Sequence, residues 1–301
     1  MSLPPASFFG MPLGLLGLGL AWRAAAATWA LPATIGETIL AAAVALWAAL
    51  VALFAGKWLM RRDEAMDEFR HPVQCCFVGL LPVTASLSAL ALLPYTRPLA
   101  ILLFVLGGLG TLAFALQRTG DLWRGERALS ATTPVLYLPA VAGSFVTAIV
   151  AANVGLQSWG QLAFGAGAFS WLAIESVLLH RLHCGPEMPP ALRPTLGIQF
   201  APPSVGALAY VSVGPGASDM LSHALLGYAL LQVLILLRLG RWIGAQPFGP
   251  SYWSFSFGAA ALAGAATRLA GRGDSEAIAA LAAGTIRLWL AGRLVPAPST
   301  P

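Results

Sequence analysis

Charge is what this 301-residue chain lacks most: only 10% of its residues are Asp, Glu, Lys or Arg, while 58% are hydrophobic. An ordinary soluble domain carries about 25% charged residues. Seventeen Lys+Arg and twelve Asp+Glu cannot cover the exterior of a water-soluble fold of this length, so the exterior must face lipid. Cysteine is scarce too. Cys75, Cys76 and Cys184 make no disulfide framework, since adjacent residues bridge poorly and the third lies far along the chain; they read as small apolar side chains. No basic residue precedes the first apolar stretch, which argues against a cleaved signal peptide and for a first spanning helix. The formal net charge of +5 does not point to nucleic acid, because the basic residues sit between apolar runs instead of clustering on one face.

Catalytic and metal signatures are likewise thin, and an enzyme is not expected. Gly107, Gly108, Leu109 and Gly110 form a GGLG string in mid-segment, without the strand that a phosphate loop follows. No Ser/His/Asp constellation is recognisable. His180, His183, Cys184 and Glu187 have a spacing that metal ligands use, but beside Arg181 and Pro186 they read as a solvated basic loop. Neither a cofactor nor a metal is expected.

What is present is a series of long apolar runs. Ten candidate spans fall at about 8–22, 34–56, 73–93, 98–117, 134–154, 158–179, 194–213, 219–237, 251–267 and 275–292, each near the roughly 20 residues that cross a bilayer. They make residues 1–301 a single all-α membrane domain with short tails. The linkers after even-numbered spans hold most of the Lys and Arg, whereas only Arg23, Arg97, Arg268 and Arg272 follow odd-numbered ones. The positive-inside bias then places both termini in the cytoplasm. The ten tryptophans read mostly as interfacial anchors.

The odd-numbered spans share a pattern that the even ones lack. Breakers fall at Pro12, Pro82, Pro139, Pro202 and Gly258, at separations of 70, 57, 63 and 56 residues, an approximate hairpin repeat used five times. Proline within a spanning helix frees a carbonyl, which is tolerated where protein or a water-filled cavity can satisfy it, so the odd helices are expected to face inward. None of these five spans contains Asp, Glu, Lys, Arg or His. Coupled transporters usually carry an ionisable group at the coupling site. Here the inner helices offer hydroxyls instead, among them Thr84, Ser86, Ser144, Ser204 and Ser256. Glu175 is an intramembrane carboxylate on an outer helix, read as pairing with an arginine or with a neighbouring helix's polar groups.

The strings FFGMPLGLLGLGLAW, HPVQCCFVGLLPVT, YLPAVAGSFVTA, FGAGAFSW with Glu175 after it, LLGYALLQVLILLRL and WSFSFG, in this order from about Phe8 to Leu269, resemble the tellurite-resistance/dicarboxylate transporter (TehA) family, which is homologous to the plant guard-cell slow anion channels. The resemblance implies five helical hairpins in a ring, with the inner odd-numbered helices around a central pore. It also implies a homotrimer in the bacterial inner membrane with one pore per protomer. It gives Phe257 of the Ser256-Phe257-Gly258 motif the role of occluding the pore, and carries the first-helix motif onto Gly10 and Pro12.

The expected function is passive conduction of small monovalent anions such as nitrate and chloride. Phe257 is the gate; Gly10, Pro12, Gly14, Pro82, Thr84, Ser86, Pro139, Ser144, Pro202, Ser204, Ser256 and Gly258 are the expected lining. A pore without fixed charge cannot replace the shell of a strongly hydrated ion, so easily dehydrated anions pass best. The alternative is a carrier or exporter of C4-dicarboxylates or tellurium oxyanions. Such a carrier needs a cationic group in its binding site, and only Arg23 and Arg268, near the outer ends of the first and ninth spans, come close.

Overall fold

A computed structural model describes residues 3–125, 127–214, 216, 218–247 and 249–275. Among them are twelve α-helices, several 3₁₀ segments and no strand. Four long helices run without interruption: α2 (Ala33–Met60), α6 (Arg97–Trp123), α8 (Gln157–Cys184) and α10 (Met220–Arg238). The first three outrun the apolar stretches by several residues, because polar ends such as Arg118–Trp123 continue the helix beyond them.

The odd-numbered spans are built in two parts. A 3₁₀ turn at Ala6–Phe9 leads into α1 (Gly10–Trp29), and a single turn, α4 (Cys75–Val78), leads into α5 (Leu80–Leu92). A 3₁₀ turn at Pro134–Leu136 and a π-helical turn at Leu138–Ala142 lead into α7 (Gly143–Asn153). The 3₁₀ segments Pro190–Ile198 and Pro250–Phe255 lead into α9 (Ala201–Val213) and α12 (Ser256–Ala270). The breakers therefore do not sit in the middle of α-helices. Pro12, Pro82 and Pro202 lie in the first turns of α1, α5 and α9, Pro139 in the turn just before α7, and Gly258 in the first turn of α12. For the prolines the reason is chemical: a residue without an N–H loses nothing where the helix has no carbonyl to offer it.

Burial separates the two sets. In the apolar windows of Cys75–Leu92, Pro134–Asn153 and Pro190–Val213, 72%, 72% and 78% of residues are buried, against 22% in α2, α6 and α8 and 33% in α10. Ala6–Trp29 falls between, at 39%. The exposed residues of α6 include Leu99, Leu102, Leu106, Leu109, Leu112 and Leu116, an apolar exterior suited to acyl chains. Eight of these helical units, among the described residues, are long and apolar enough to cross a membrane. Pro250–Ala270 is not one of the eight, its PSYWSF lead-in and its run of Ala and Gly being only weakly apolar. The tenth expected span, 275–292, lies almost wholly outside the described residues.

Each inner helix packs on the next inner one, and α1, α5, α7 and α9 pack also on the outer helix that follows them. Thus α1 meets α2 and α5, α5 meets α6 and α7, α7 meets α8 and α9, α9 meets α10 and α12, and α12 returns to α1. The stretch after α2, expected as a loop, contains α3 (Arg62–Arg70), with Asp63 and Glu64 in its first turn and Arg70 in its last, as the helix dipole favours. It folds back so that Glu68 accepts a hydrogen bond from Lys57 Nζ at 2.6 Å. Both side chains are buried.

The α5–α6 seam depends on one close approach. A Cβ on Gly107 would stand 2.7 Å from the Pro82 carbonyl oxygen and 2.9 Å from the Ser86 amide nitrogen, both backbone atoms. Its neighbour Gly108 faces open space. Gly107→Val is therefore expected to destabilise the protein by about 1–3 kcal/mol, and Gly108→Val by much less. Thermal denaturation in detergent checks this; equal melting temperatures for the two variants would refute the close packing.

Candidate functional site

Two cavities lie along the inner helices, one at each end. The first, about 290 Å³, is bounded by the lead-ins and first turns of all five inner units, and includes Phe8, Gly10, Leu13, Phe77, Tyr137, Phe145, Pro202 and Trp253. No charged residue lines it. Its polar groups are those of Ser7, Gln74, Tyr137, Thr195, Ser251 and Ser254. The second, about 590 Å³, lies toward the C-terminal ends of the same helices and is lined by Arg23, Arg268 and Arg272 amid Leu20, Leu87, Ile149 and other apolar side chains. Among the described residues, Phe257 alone lines both.

Phe257 is the second residue of α12 and is 7% exposed. The absence of a side chain on Gly17 makes room for its ring: a Cβ there would approach Phe257 Cδ2 to 2.8 Å. One turn earlier, Gly14 meets Ser256 so closely that any Cβ would collide with the serine side chain. Ser256 Oγ donates to the Trp253 carbonyl at 2.7 Å. Small residues of α1 thus accept the first turn of α12.

Of the residues expected to line a path, Gly10, Pro202 and Phe257 are on the first cavity. Pro12 and Pro139 are buried. Pro82 and Ser86 face Gly107 and Gly110 of α6, and Ser144 faces Gly167 of α8. Thr84 Oγ1 donates to the Leu80 carbonyl at 2.7 Å, and Ser204 Oγ to that of Phe200 at 2.7 Å. Gly258 packs under the Phe200 ring. The hydroxyls on the cavity wall lie instead in the lead-ins, where Thr195 Oγ1 donates to the Leu192 carbonyl at 2.6 Å and Ser254 Oγ to that of Pro194 at 2.5 Å.

Glu175, 7% exposed on α8, anchors a network at the edge of the first cavity. Its Oε2 accepts from Trp171 Nε1 at 2.8 Å and from the Tyr137 hydroxyl; its Oε1 accepts from Gln199 Nε2 at 3.0 Å and from the Tyr228 hydroxyl at 2.5 Å. Polar groups of its own and neighbouring elements hold it, and among the described residues no arginine does. The HRLHCGPE stretch assembles no metal centre: Glu187 Oε1 accepts from Arg193 Nη2 at 2.9 Å and from Trp242 Nε1 at 2.7 Å. Among the described residues no three of His, Cys, Asp and Glu come together as a metal would need.

An all-helical chain with several lipid-length spans, and with two cavities along its inner helices that share Phe257 in their walls, is a polytopic membrane protein of the channel or transporter class. It belongs to the SLAC1 family of voltage-dependent anion channels, whose family model matches residues 4–291. It is 36% identical over 266 residues to the tellurite resistance protein TehA homolog of Haemophilus influenzae, covering 87% of this chain and 80% of that one. Two Arabidopsis thaliana proteins are each 26% identical over 84% of this chain: the S-type anion channel SLAH3 and the guard cell S-type anion channel SLAC1. The chain spans 41% and 47% of those two plant proteins. The family's members are channels and transporters, and the expected role of this chain is accordingly anion transport.

Proposed function

We propose that this protein is a passive channel for small monovalent anions such as nitrate and chloride, and that its single transmembrane domain forms a ring of five hairpins around a pore occluded by Phe257. The observation that carries this reading is the position of Phe257 as the one described residue shared by both cavities. The succession of contacts from α1 through α5, α7, α9 and α12 back to α1 supports the ring. With the cytoplasmic side placed by the basic linkers, both termini face inward, and a bacterial chain of this kind resides in the inner membrane as a homotrimer with one pore in each protomer.

Anion preference follows from backbone geometry. α1, α5, α7, α9 and α12 begin at Gly10, Leu80, Gly143, Ala201 and Ser256, and residues in or beside every one of these first turns border the uncharged first cavity. Five helix N-termini present partial positive charge to it. An ion with a weakly held hydration shell gains most, since the walls offer few groups to replace lost water.

Reversal potentials in planar bilayers under a salt gradient are expected to lie near the anion equilibrium potential, with nitrate more permeant than chloride. Cation-selective current would overturn the reading. Saturable malate flux driven by a proton gradient would favour the dicarboxylate carrier instead.

A further inference from the structure

The second cavity differs from the first in carrying fixed charge, and the partners of its three arginines are unequal. Arg23 is neutralised: its Nε and Nη2 donate to Glu37 at 2.7 and 2.6 Å, and its remaining contacts go to the carbonyls of Leu90 and Ala91. Among the described residues Arg272 reaches only backbone carbonyls, those of Val211 and Gly216. Arg268 donates through Nη1 to Ser212 Oγ at 3.0 Å and makes no ion pair with any of the described residues. Its Nε and Nη2, one flat edge of the guanidinium, have no protein acceptor among the described residues. Among the described residues no carboxylate lines the cavity.

We infer that this cavity is an anion vestibule in which Arg268, assisted by Arg272, docks a small planar oxyanion of the nitrate or carboxylate type ahead of Phe257. The inference rests on the channel reading for its consequence in conduction, but not for binding itself. Two cations without a carboxylate partner among the described residues, set beside apolar walls, focus the field on the cavity. A planar fork with two free N–H groups matches two coplanar oxygens, which a spherical halide cannot offer. Arg268 lies eleven residues beyond Phe257 on the same helix, about 16 Å along its axis. An ion held there waits in the space that Phe257 borders, and docking through one edge of one side chain leaves it free to move on.

Binding and conduction test this separately. Sodium nitrate and sodium formate are expected to raise the melting temperature of the detergent-solubilised protein more than sodium iodide at equal ionic strength, and Arg268→Gln to abolish the difference. Arg268→Lys keeps the charge without the fork, so it should retain current while losing the extra stabilisation by nitrate. Arg272→Gln, at an exposed position, guards against misfolding of the Arg268 variants. In bilayers, Arg272→Gln and Arg268→Gln should each lower anion conductance severalfold at low ionic strength and little near 1 M salt, where the Debye length shrinks to about 3 Å. Equal stabilisation by nitrate and iodide, or nitrate stabilisation that survives in Arg268→Gln and Arg268→Lys, would overturn the oxyanion site. Should the wild-type protein pass no anion current, the channel reading fails while the melting temperatures still decide the site.

Discussion

Phe257→Ala is expected to raise anion conductance per protein molecule about 30- to 150-fold over the wild-type chain. The figure follows from taking the ring as an apolar constriction whose barrier approaches the free energy of moving a Phe side chain between water and an apolar site, about 2–3 kcal/mol, with each 1.36 kcal/mol worth tenfold in rate. An apolar neck blocks ions by excluding water. On the proposed reading, truncation to a methyl group should open a way between the 290 Å³ and 590 Å³ cavities, both of which Phe257 lines. Phe257→Leu should fall between the two, because it keeps the apolar character and loses part of the width. The competing account makes Phe257 an ordinary packing residue between α1 and α12. That account predicts a stability loss of about 3–5 kcal/mol with no gain of current. Conductance measured beside melting temperature and surface expression separates the two, and a normally expressed Phe257→Ala protein with wild-type current would return the residue to the core.

The division into inner and outer helices was legible because its signal is local and chemical. Proline removes a donor, and five breakers at nearly hairpin spacing mark the odd spans whatever the tertiary structure. The exact place of those breakers was less accessible: a proline in the first turn after a 3₁₀ lead-in and a proline kinking a continuous helix have the same apolar surroundings in sequence. The wall of the first cavity was harder still. Helices such as α5 carry no charged residue and scatter their hydroxyls among apolar side chains, so no amphipathic stripe tells which face looks inward, and Ser86 and Ser144 could be placed only once Gly107 and Gly167 were seen to receive them. Small residues on the outer helices pull the hydroxyl-bearing faces toward themselves, and the cavity is left to the lead-ins. The arginines of the second cavity were visible as the few basic residues after odd spans. Their inequality was not, since it depends on Glu37 of α2 reaching Arg23 and on no carboxylate of the described residues reaching Arg268.

Glu175→Ala is expected to abolish most of the folded, monodisperse protein. Four neutral donors converge on the carboxylate from four separate places: Tyr137 before α7, Trp171 on α8, Gln199 before α9 and Tyr228 on α10. Two oxygens with two lone-pair sites each are filled by four donors, so removal of the carboxylate takes an acceptor from all four, of which Gln199 Nε2 keeps the Tyr137 hydroxyl at 3.1 Å. Breaking a buried charged network by deleting one member costs about 3–5 kcal/mol, and each buried donor left without an acceptor about 1–3 kcal/mol. Glu175→Gln is the sharper variant. It preserves volume but turns one acceptor into an NH₂ group that faces two donors, so it should destabilise clearly, yet less than alanine. Because Tyr137 lines the first cavity and Gln199 closes the lead-in to α9, any protein that does fold should also show altered conductance with Phe257 intact. A Glu175→Ala protein with the wild-type melting temperature would mean that the donors find other partners and that the outer helix is held to the inner ones by apolar packing alone.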